Sequence, residues 1–459
     1  MTLPRNIEAE AALIGSLMID NRSIDRIADK LSPEDFYEPL HGRLFAGIVR
    51  EASLGKQANP VTLKPYFDND NAFQEIGGVG YLAKLTENNA ALIGTDSFAD
   101  QIAVMAKRRR LIERLNEAAE VARNLELSND EVIDAADSAI SAATDGHETI
   151  PQLSGAQCFD ELIASFDEPQ TGVECKVIKP IDDLLGSMRP KQLIIGAGRP
   201  GMGKTAVALS YSIGAAMNGH GVLFISLEMS SVELAARMAA DMCFDGEGGI
   251  PYEVIRDRKL NRRQTMEVCR AREMMAEMPF RVVDAGKLTI GRLNMLVRRH
   301  TRRFAAQGHK LELVVVDYLQ LVSPDQRRNS NYEAVSEVSR GLKAIAKDHG
   351  VAVFALAQLS REVEKRPDKR PQLADLRDSG QIEQDADAVL FLTRDEYYIS
   401  QNEPEDKDSA EYLEWQSLLE KARGRIDFIC AKRRNGRTGV AQGAFHGAYQ
   451  AVRGGWGNK

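Results

Sequence analysis

The sequence contains no long hydrophobic run, and this absence limits where the protein can act. No apolar stretch approaches the roughly 18 residues that a membrane-spanning helix requires. The first residues, MTLPRNIEAEAALIG, carry acids where a secretory signal has a basic segment followed by an apolar core. We therefore expect a cytoplasmic protein with no membrane partner.

Cysteine is also scarce, with five residues in a chain of 459. The five are scattered and never form a C-x-x-C, which argues against a disulfide framework or a zinc site. The seven histidines form neither a cluster nor an H-E-x-x-H motif. We expect no structural transition metal.

An excess of basic residues is missing as well. Lysine and arginine number 59 against 67 acids, for a net charge of −8. A protein that coats nucleic acid passively is usually basic, so the composition argues against that class. It leaves open a protein that holds DNA in a local basic channel. The chain is too long for one ordinary core and predicts two or three domains.

Residues 1–144 have the pattern of an all-α domain. Apolar residues fall at helical spacing near the start, at Ile7, Ala11, Ile14 and Met18. A long helix is predicted through residues 98–125, and a capping box at residues 128–131 predicts the start of another. We predict a separate helical N-terminal domain over residues 1–144.

Residues 145–175 are predicted to form a linker that contains one amphipathic helix, which Pro169 would end. Its apolar face is formed by Ala156, Phe159, Leu162, Ile163 and Phe166. An isolated apolar face needs a surface to cover it. The sequence leaves two possibilities open, which are packing on the same chain and docking onto a neighbouring subunit.

Residues 176–459 alternate short apolar runs with helical stretches. The runs are QLIIGAG, GVLFISL, FRVVDA, LELVVVDYLQL, VAVFALAQL and AVLFLT. Such runs are typical of buried parallel strands, and their alternation with helices indicates an α/β domain. Residues 395–425, which carry the acidic run NEPEDKDSAEYLEW, are predicted to be an irregular surface insertion.

Two nucleotide-binding fingerprints overlap in the sequence LIIGAGRPGMGKTA. Residues 196–201 match the G-x-G-x-x-G of dinucleotide-binding folds, and residues 198–205 match the P-loop, G-x-x-x-x-G-K-[ST]. A dinucleotide-binding fold would give Glu228 a ribose to bind. It would leave Lys204 and Thr205 without a role.

The P-loop interpretation gives both residues a role. Backbone N–H groups from Arg199 to Gly203 would surround the phosphates, Lys204 would reach the β- and γ-oxygens, and the Thr205 hydroxyl would bind Mg²⁺. Asp317 ends the run LELVVVD and supplies the Walker B acid, a second Mg²⁺ ligand. We therefore predict a site for ATP and Mg²⁺. Its nucleotide contacts are predicted at Gly201, Met202, Gly203, Lys204, Thr205 and Ala206.

Two further polar residues end apolar runs and join Lys204 as candidate catalytic residues. Glu228 follows GVLFISL, where P-loop ATPases of the RecA type have the carboxylate that orients the attacking water. Gln358 ends VAVFALAQ and is placed to sense the γ-phosphate. The alternatives that the sequence leaves open are a surface acid and an ordinary strand-end amide.

With these motifs in place, the sequence resembles the DnaB-type replicative helicases over nearly its whole length. The resemblance is carried by LPRNIEAEAALIGSLMID, SPEDFYEPLHGRLF, IGGVGYLAKL, GRPGMGKTA, FISLEMS, VVVDYLQL, FALAQLSREVEKR, DLRDSGQIEQDAD and KRRNG. The helical N-terminal motifs discriminate, because RecA-type recombinases share the ATPase core but lack them.

The resemblance implies a RecA-like α/β P-loop motor domain, joined through the linker helix to the all-α domain. It implies a homohexameric ring around single-stranded DNA, with ATP sites between subunits, that moves 5′ to 3′ and unwinds duplex DNA at the replication fork. The implied partners are a primase and a helicase loader, and the implied setting is the nucleoid of a bacterium or a phage-infected cell.

The resemblance also assigns roles to basic segments. Arg377, with the backbone near Asp378 and Gly380, corresponds to the family's DNA-contacting loop. Lys432 and Arg434 correspond to cations that reach the γ-phosphate bound by the neighbouring subunit, so Arg434 joins the catalytic candidates. The alternatives are a solvated charged turn and a basic surface hairpin.

The resemblance also bears on two further residues of the nucleotide site, Arg237 and Gly201. Arg237, nine residues after Glu228, corresponds less closely to a family nucleotide contact. Gly201 stands where serine is common in the family, which predicts a more flexible phosphate loop.

Two other functions stay open: a recombinase-like strand-exchange ATPase on the same core, and a non-motor ATP-binding ring scaffold or loader.

Overall fold

The computed structural model describes residues 3–68, 70–87, 94–124, 132, 136, 154–167, 172–325, 328, 330–376 and 380–455. The chain divides into two compact units, Met1–Asp167 and Glu168–Lys459. Within the described part of the chain, no helix is both long and apolar enough to span a membrane.

The first unit contains helices and no strand among its described residues. The helices are α1 (Ile7–Ile19), α2 (Ile24–Ala28), α3 (Pro39–Ser53), α4 (Pro60–Phe67), α5 (Asn71–Glu75), α6 (Val79–Glu87), α7 (Thr95–Arg123) and α8 (Gly155–Ala164). Helix α1 packs against α3, α6 and α7, and its Leu13, Ile14 and Leu17 are fully buried. The long helix predicted through residues 98–125 is α7, whereas the capping box at residues 128–131 lies outside the described residues.

Helix α8 coincides with the amphipathic stretch that the sequence predicts. It begins after Ser154, whose side chain accepts a hydrogen bond from the Gln157 N–H at 3.2 Å. Its apolar side chains are uncovered, with Phe159 66% exposed and Ile163 58% exposed. The apolar face is therefore present and open to solvent.

The second unit is built on a nine-stranded sheet with the order β11-β10-β9-β8-β1-β7-β5-β2-β3. The strands are β1 (Leu193–Gly198), β2 (Gly221–Ser226), β3 (Phe280–Asp284), β5 (Leu311–Asp317), β7 (Ala352–Gln358), β8 (Ala388–Thr393), β9 (Arg425–Arg433), β10 (Gly439–His446) and β11 (Ala451–Arg453). Short strands β4 (Leu288–Thr289) and β6 (Val322–Ser323) pair separately.

The six apolar runs in the sequence are the six parallel strands, from β8 to β3 in the sheet order. Strands β9, β10 and β11 extend the sheet in antiparallel fashion, and the sequence pattern does not predict them. The predicted α/β class is confirmed, as a helical N-terminal domain followed by a mixed α/β domain.

Helices cover both faces of the sheet. They are α9 (Lys179–Leu185), α10 (Lys204–Met217), α11 (Ser231–Met242), α12 (Tyr252–Arg256), α13 (Arg262–Glu277), α14 (Ile290–Ala306), α15 (Asn331–Asp348), α16 (Glu362–Lys365), α17 (Gly380–Asp385), α18 (Asp395–Ser400) and α19 (Ala410–Ala422). Tyr211 of α10 packs in one core with Phe354, and Leu342 of α15 packs in the other with Val353. Burial on both faces explains why the strands read as unbroken apolar runs.

The acidic segment 395–425 differs from its prediction as an irregular insertion. It contains α18 and α19, which pack against each other. The Trp415 indole N–H donates to the Ile399 carbonyl at 2.7 Å and joins the two helices. An aromatic anchor therefore helps to order this acid-rich segment.

Candidate nucleotide-binding site

The carboxyl ends of four parallel strands meet at one edge of the sheet, and a predicted site residue stands at or after each end. Strand β1 leads through the phosphate loop to Lys204, β2 leads to Glu228, β5 ends at Asp317 and β7 ends at Gln358. All four residues line one cavity of about 530 Å³. The parallel topology is what brings together residues that are far apart in the chain.

The phosphate loop between β1 and α10 has glycine at two positions where the backbone is left-handed. Gly201 has a φ of +82° and Gly203 a φ of +85°, in the left-handed region that other residues rarely adopt. A Cβ at Gly201 would also lie 2.7 Å from the Tyr397 ring, and one at Gly203 2.7 Å from the Phe445 ring. The greater flexibility expected from Gly201 stays a prediction, and the close approach of Tyr397 shows what a larger side chain would meet there.

Lys204 begins α10, where the helix N-terminus offers free N–H groups to an anion. Its Nζ donates to the carbonyl oxygens of Gly198 at 3.0 Å and Arg199 at 3.3 Å. Burial lowers the pKa of Lys204, while the nearby carboxylates of Asp317 and Glu228 act in the opposite direction. The ammonium group is therefore held at the loop, where it can neutralise a bound phosphate.

Thr205 and Asp317 bring two oxygen ligands together. The Thr205 hydroxyl donates to Asp317 Oδ2 at 2.8 Å. Burial raises the pKa of Asp317, the hydrogen bond from Thr205 lowers it, and the charge of Glu228 raises it further. Protein sites for Mg²⁺ commonly use one or two such oxygens together with phosphate and water, so this pair fits the ion. Ala206 also lines the cavity, whereas the side chain of the loop residue Met202 is buried and does not line it.

Glu228 and Gln358 enter the cavity under different constraints. Glu228 is exposed, so its carboxylate can meet a water molecule. The backbone of Gln358 is fixed by the Gln320 amide, which accepts from the Gln358 N–H at 3.3 Å and donates to the Gln358 carbonyl at 3.2 Å. The Gln358 side chain therefore starts from a defined position at the cavity wall.

One wall of the cavity comes from β10 and the segment before β11. Phe445, Gly447 and Gln450 lie there, and the Arg394 guanidinium lies 3.9 Å from the centre of the Phe445 ring. Arg237 of α11 lines the cavity and donates to Gln450 Oε1 at 2.8 Å. Arg237 alone among these five is predicted from the sequence, through the family resemblance, and the other four lie outside every apolar run and fingerprint.

Lys432 and Arg434 are not part of this cavity. Arg433, which lies between them in the chain, is paired with Ala388 at the start of β8. Ala388 is in turn paired with Ile194 of β1. Ile194 precedes the end of β1, Gly198, by four residues, or about 13 Å along the strand. Both cations therefore lie towards the edge of the sheet opposite the phosphate loop of their own chain.

At that opposite edge, Lys432 and Arg434 hold the end of α17. The Lys432 ammonium donates to the Glu383 carbonyl, and the Arg434 guanidinium donates to the Gln384 carbonyl at 2.6 Å. Arg434 also lies 3.4 Å from a carboxylate oxygen of Asp387. Burial lowers the pKa of Lys432, with the charge of Arg434 acting in the same direction.

The predicted DNA-contacting residues are described only in part. Arg377 and Asp378 lie outside the described residues, and Gly380 is the exposed first residue of α17. Before them, the buried Asp375 carboxylate accepts hydrogen bonds from the Arg366 guanidinium at 2.6 Å and from a backbone N–H. The chain thus enters the predicted DNA-contacting segment from an anchored position.

Comparison with known proteins gives a consistent family. The sequence profile of the DnaB-like helicase N terminal domain matches residues 2–103, and that of the DnaB-like helicase C terminal domain matches residues 172–453. The replicative DNA helicase DnaB of Rickettsia bellii (strain RML369-C) is 35% identical over 463 residues, covering 96% of this chain and 91% of that protein. The DnaB of Geobacillus stearothermophilus is 33% identical over 455 residues, covering 96% and 93%.

Solved structures agree with the sequence matches. A DnaB-like replicative helicase, described with its interactions with primase, superposes with a TM-score of 0.70 at 27% identity and covers 98% of this chain and 99% of its own. A solved structure of a separate ATPase domain gives a TM-score of 0.56 at 30% identity, covering 66% of this chain and 99% of its own. With both domains matched and relatives above 30% identity over nearly the full length, the chain belongs to the DnaB-like family of replicative DNA helicases.

Proposed function

We propose that this helicase uses Mg²⁺-dependent ATP hydrolysis to move 5′ to 3′ along single-stranded DNA and so separates the duplex at replication forks. The observation that carries the proposal is the cavity in which Lys204, Glu228, Asp317 and Gln358 meet at the ends of four parallel strands. A phosphate loop, an oxygen pair for Mg²⁺ and an accessible acid are the parts that nucleoside triphosphate hydrolysis requires.

Each residue of the cavity has a chemical role in this proposal. Lys204 neutralises charge on the β- and γ-phosphates, and the loop N–H groups bind their oxygens. Thr205 and Asp317 would hold Mg²⁺, which when bound supplies positive charge to the phosphate oxygens. Glu228 orients the attacking water and accepts its proton, and Gln358 donates to a γ-phosphate oxygen.

Lys432 and Arg434 are proposed to act on nucleotide bound by the neighbouring subunit. The support is geometric, because both cations lie about 13 Å back along the strands from the end of β1, towards the opposite edge of the sheet. A site completed in this way requires a closed ring of subunits, and we propose the homohexamer that the family resemblance implies.

The uncovered face of α8 supports the same assembly. Phe159, Leu162, Ile163 and Phe166 are all exposed on this helix and the turn that follows it. Contiguous exposed apolar side chains mark interaction sites in soluble proteins. We propose that a neighbouring subunit covers this face, which connects the N-terminal unit of one chain to the ring.

DNA and protein partners follow from the same proposal. Arg377 and the backbone near Asp378 and Gly380 would bind DNA phosphates, which suits tracking that does not depend on base sequence. One structural relative is described with its interactions with primase. We propose a primase and a helicase loader as partners of this chain, bound through the N-terminal domain and the outer ring surface.

A strand-displacement assay separates the proposal from its alternatives. The substrate is a forked duplex with a 5′ single-stranded tail, tested with ATP and Mg²⁺, and a fork with only a 3′ tail is the polarity control. Displacement that needs the 5′ tail and is lost in Lys204→Ala supports the helicase. A scaffold or loader would displace nothing, and a recombinase-like ATPase would pair homologous strands instead.

A further inference from the structure

The phosphate loop contains a buried arginine whose side chain has no role in the chemistry above. The Arg199 side chain is only 8% exposed, and the proposed mechanism uses only its backbone. Its guanidinium Nη1 donates to the Leu359 carbonyl at 2.8 Å, and its Nε donates to Glu364 Oε1, also at 2.8 Å. The loop is therefore tied through a charged pair to the segment that follows β7.

The backbone reinforces this tie on the side of the phosphate loop. The Leu359 N–H donates to the Gly198 carbonyl at 3.4 Å, next to the carbonyls of Gly198 and Arg199 that accept from Lys204. When Lys204 turns to a bound phosphate, these two carbonyls lose their shared donor. The nucleotide site is therefore linked by contacts to the Arg199 backbone and, through the Arg199 side chain, to the Glu364 carboxylate.

Segment 359–376 connects the residues that contact Arg199 to the proposed DNA-contacting residues. The Ser360 N–H donates to the Asp375 carbonyl at 2.9 Å, so the two ends of the segment are fastened together. The Asp375 carboxylate in turn accepts from Arg366 and from the Gln372 N–H at 2.7 Å. These hydrogen bonds brace the segment, and its last residue, Leu376, is adjacent in the chain to Arg377.

We infer that Glu364, through Arg199, is a positioning residue that couples the phosphate loop to the segment leading to the DNA contacts. The inference rests on the proposed function, in which residues from 377 onward bind single-stranded DNA. Glu364 touches neither nucleotide nor DNA in this scheme. Its loss leaves a buried arginine with only a carbonyl partner, which loosens the mechanical link and removes no side chain assigned to ATP contact.

The same helix offers a matched control. Glu362 also belongs to α16 and also forms an ion pair, with Lys365 at 2.7 Å. That pair is exposed on both sides, at 66% and 70% of the side chains, so its contribution is small. Glu364→Ala and Glu364→Gln test the inference. Glu362→Ala tests whether the loss of another acidic side chain of α16 has the same effect.

The experiment measures ATP turnover of the full-length protein with and without an oligo(dT) strand, and oligo(dT) affinity with a non-hydrolysable ATP analogue and with ADP. In Glu364→Ala we expect unchanged basal turnover and KM for ATP, with DNA stimulation reduced about tenfold, within the range of ordinary coupling between sites. The ratio of the two oligo(dT) affinities should also shrink, because the link between bound nucleotide and the DNA-contacting segment is weakened. Glu364→Gln keeps a hydrogen-bond acceptor for Arg199. Its DNA stimulation and affinity ratio should therefore lie between those of the wild type and of Glu364→Ala.

Two results would overturn the inference. One is wild-type stimulation in both Glu364 variants, and the other is an equal loss in Glu362→Ala. Should Glu364→Ala fail to fold, Glu364→Gln decides alone, since it preserves the size of the side chain. If the wild-type protein neither binds oligo(dT) nor responds to it, the proposed function itself is wrong, which the wild-type measurement reveals before any variant is compared.

Discussion

Asp317 and Glu228 are carboxylates on the same cavity, and their surroundings suit them to different tasks. Asp317 is 2% exposed and receives the hydrogen bond of the Thr205 hydroxyl, so its oxygens are held in place, as the proposed Mg²⁺ site requires. Glu228 is exposed at the end of its strand, where a water molecule can reach it. Residue type alone does not separate these roles, but burial does.

Substitution of each acid should therefore give a different defect. Glu228→Gln should bind ATP normally and lose about 10²–10⁴-fold in turnover, the usual contribution of a positioned general base. Asp317→Asn should instead raise the Mg²⁺ concentration needed for half-maximal turnover. For both variants, ATP binding and the rate of phosphate release are measured over a range of Mg²⁺ concentrations. Normal turnover in Glu228→Gln would make Glu228 a structural acid.

Gly201 gives a second test at the scale of one residue. Gly201→Ser introduces a side chain at a φ of +82° and places its Cβ 2.7 Å from the Tyr397 ring. We expect weaker ATP binding, seen as a higher KM for ATP. Tyr397→Ala removes the contact but not the backbone strain, so the double variant should recover only part of the affinity. An unchanged KM in Gly201→Ser would show that the loop is looser than its packing suggests.

At the scale of elements, the sequence predicts best what is buried on both sides. Six unbroken apolar runs became six parallel strands, and the residues that end four of them meet in the cavity. Strands β9 and β10 are mixed in burial along their length, so they leave no apolar run to find. The cavity wall that they support, including Phe445 and Gln450, was missed for this reason.

Helix α8 is the element whose partner is most open to test. Phe159→Asp combined with Ile163→Asp should leave each chain folded but weaken the ring, because the exposed apolar face is replaced by charge. ATP turnover should fall with assembly. Sedimentation at several protein concentrations measures the effect, and Glu161→Gln on the same helix is the control. A ring as stable as that of the wild type would mean that no neighbouring subunit covers this face.

At the scale of the whole molecule, one chain carries two separated parts of the catalytic site that we propose. The phosphate loop lies at the carboxyl edge of the parallel strands, and Arg434 follows β9 towards the opposite edge. Because the hydrogen-bonded pairing of β1, β8 and β9 holds these two positions apart, a single chain does not bring them together. We therefore expect ATP hydrolysis to require residues from two neighbouring chains. A closed ring would contain as many such interfaces as it has subunits.

Mixing two inactive variants tests this claim most directly. Lys204→Ala lacks the phosphate-binding cation, and Arg434→Ala should lose about 10³–10⁵-fold in turnover if the arginine acts as a finger on developing phosphate charge. The two are combined before assembly, co-assembly is verified, and single-turnover ATP hydrolysis is measured so that coordination around the ring cannot hide an active site. We predict that the mixture regains hydrolysis that neither variant shows alone, wherever an intact phosphate loop borders an intact Arg434. A verified mixed ring in which no site hydrolyses even one ATP would contradict the account.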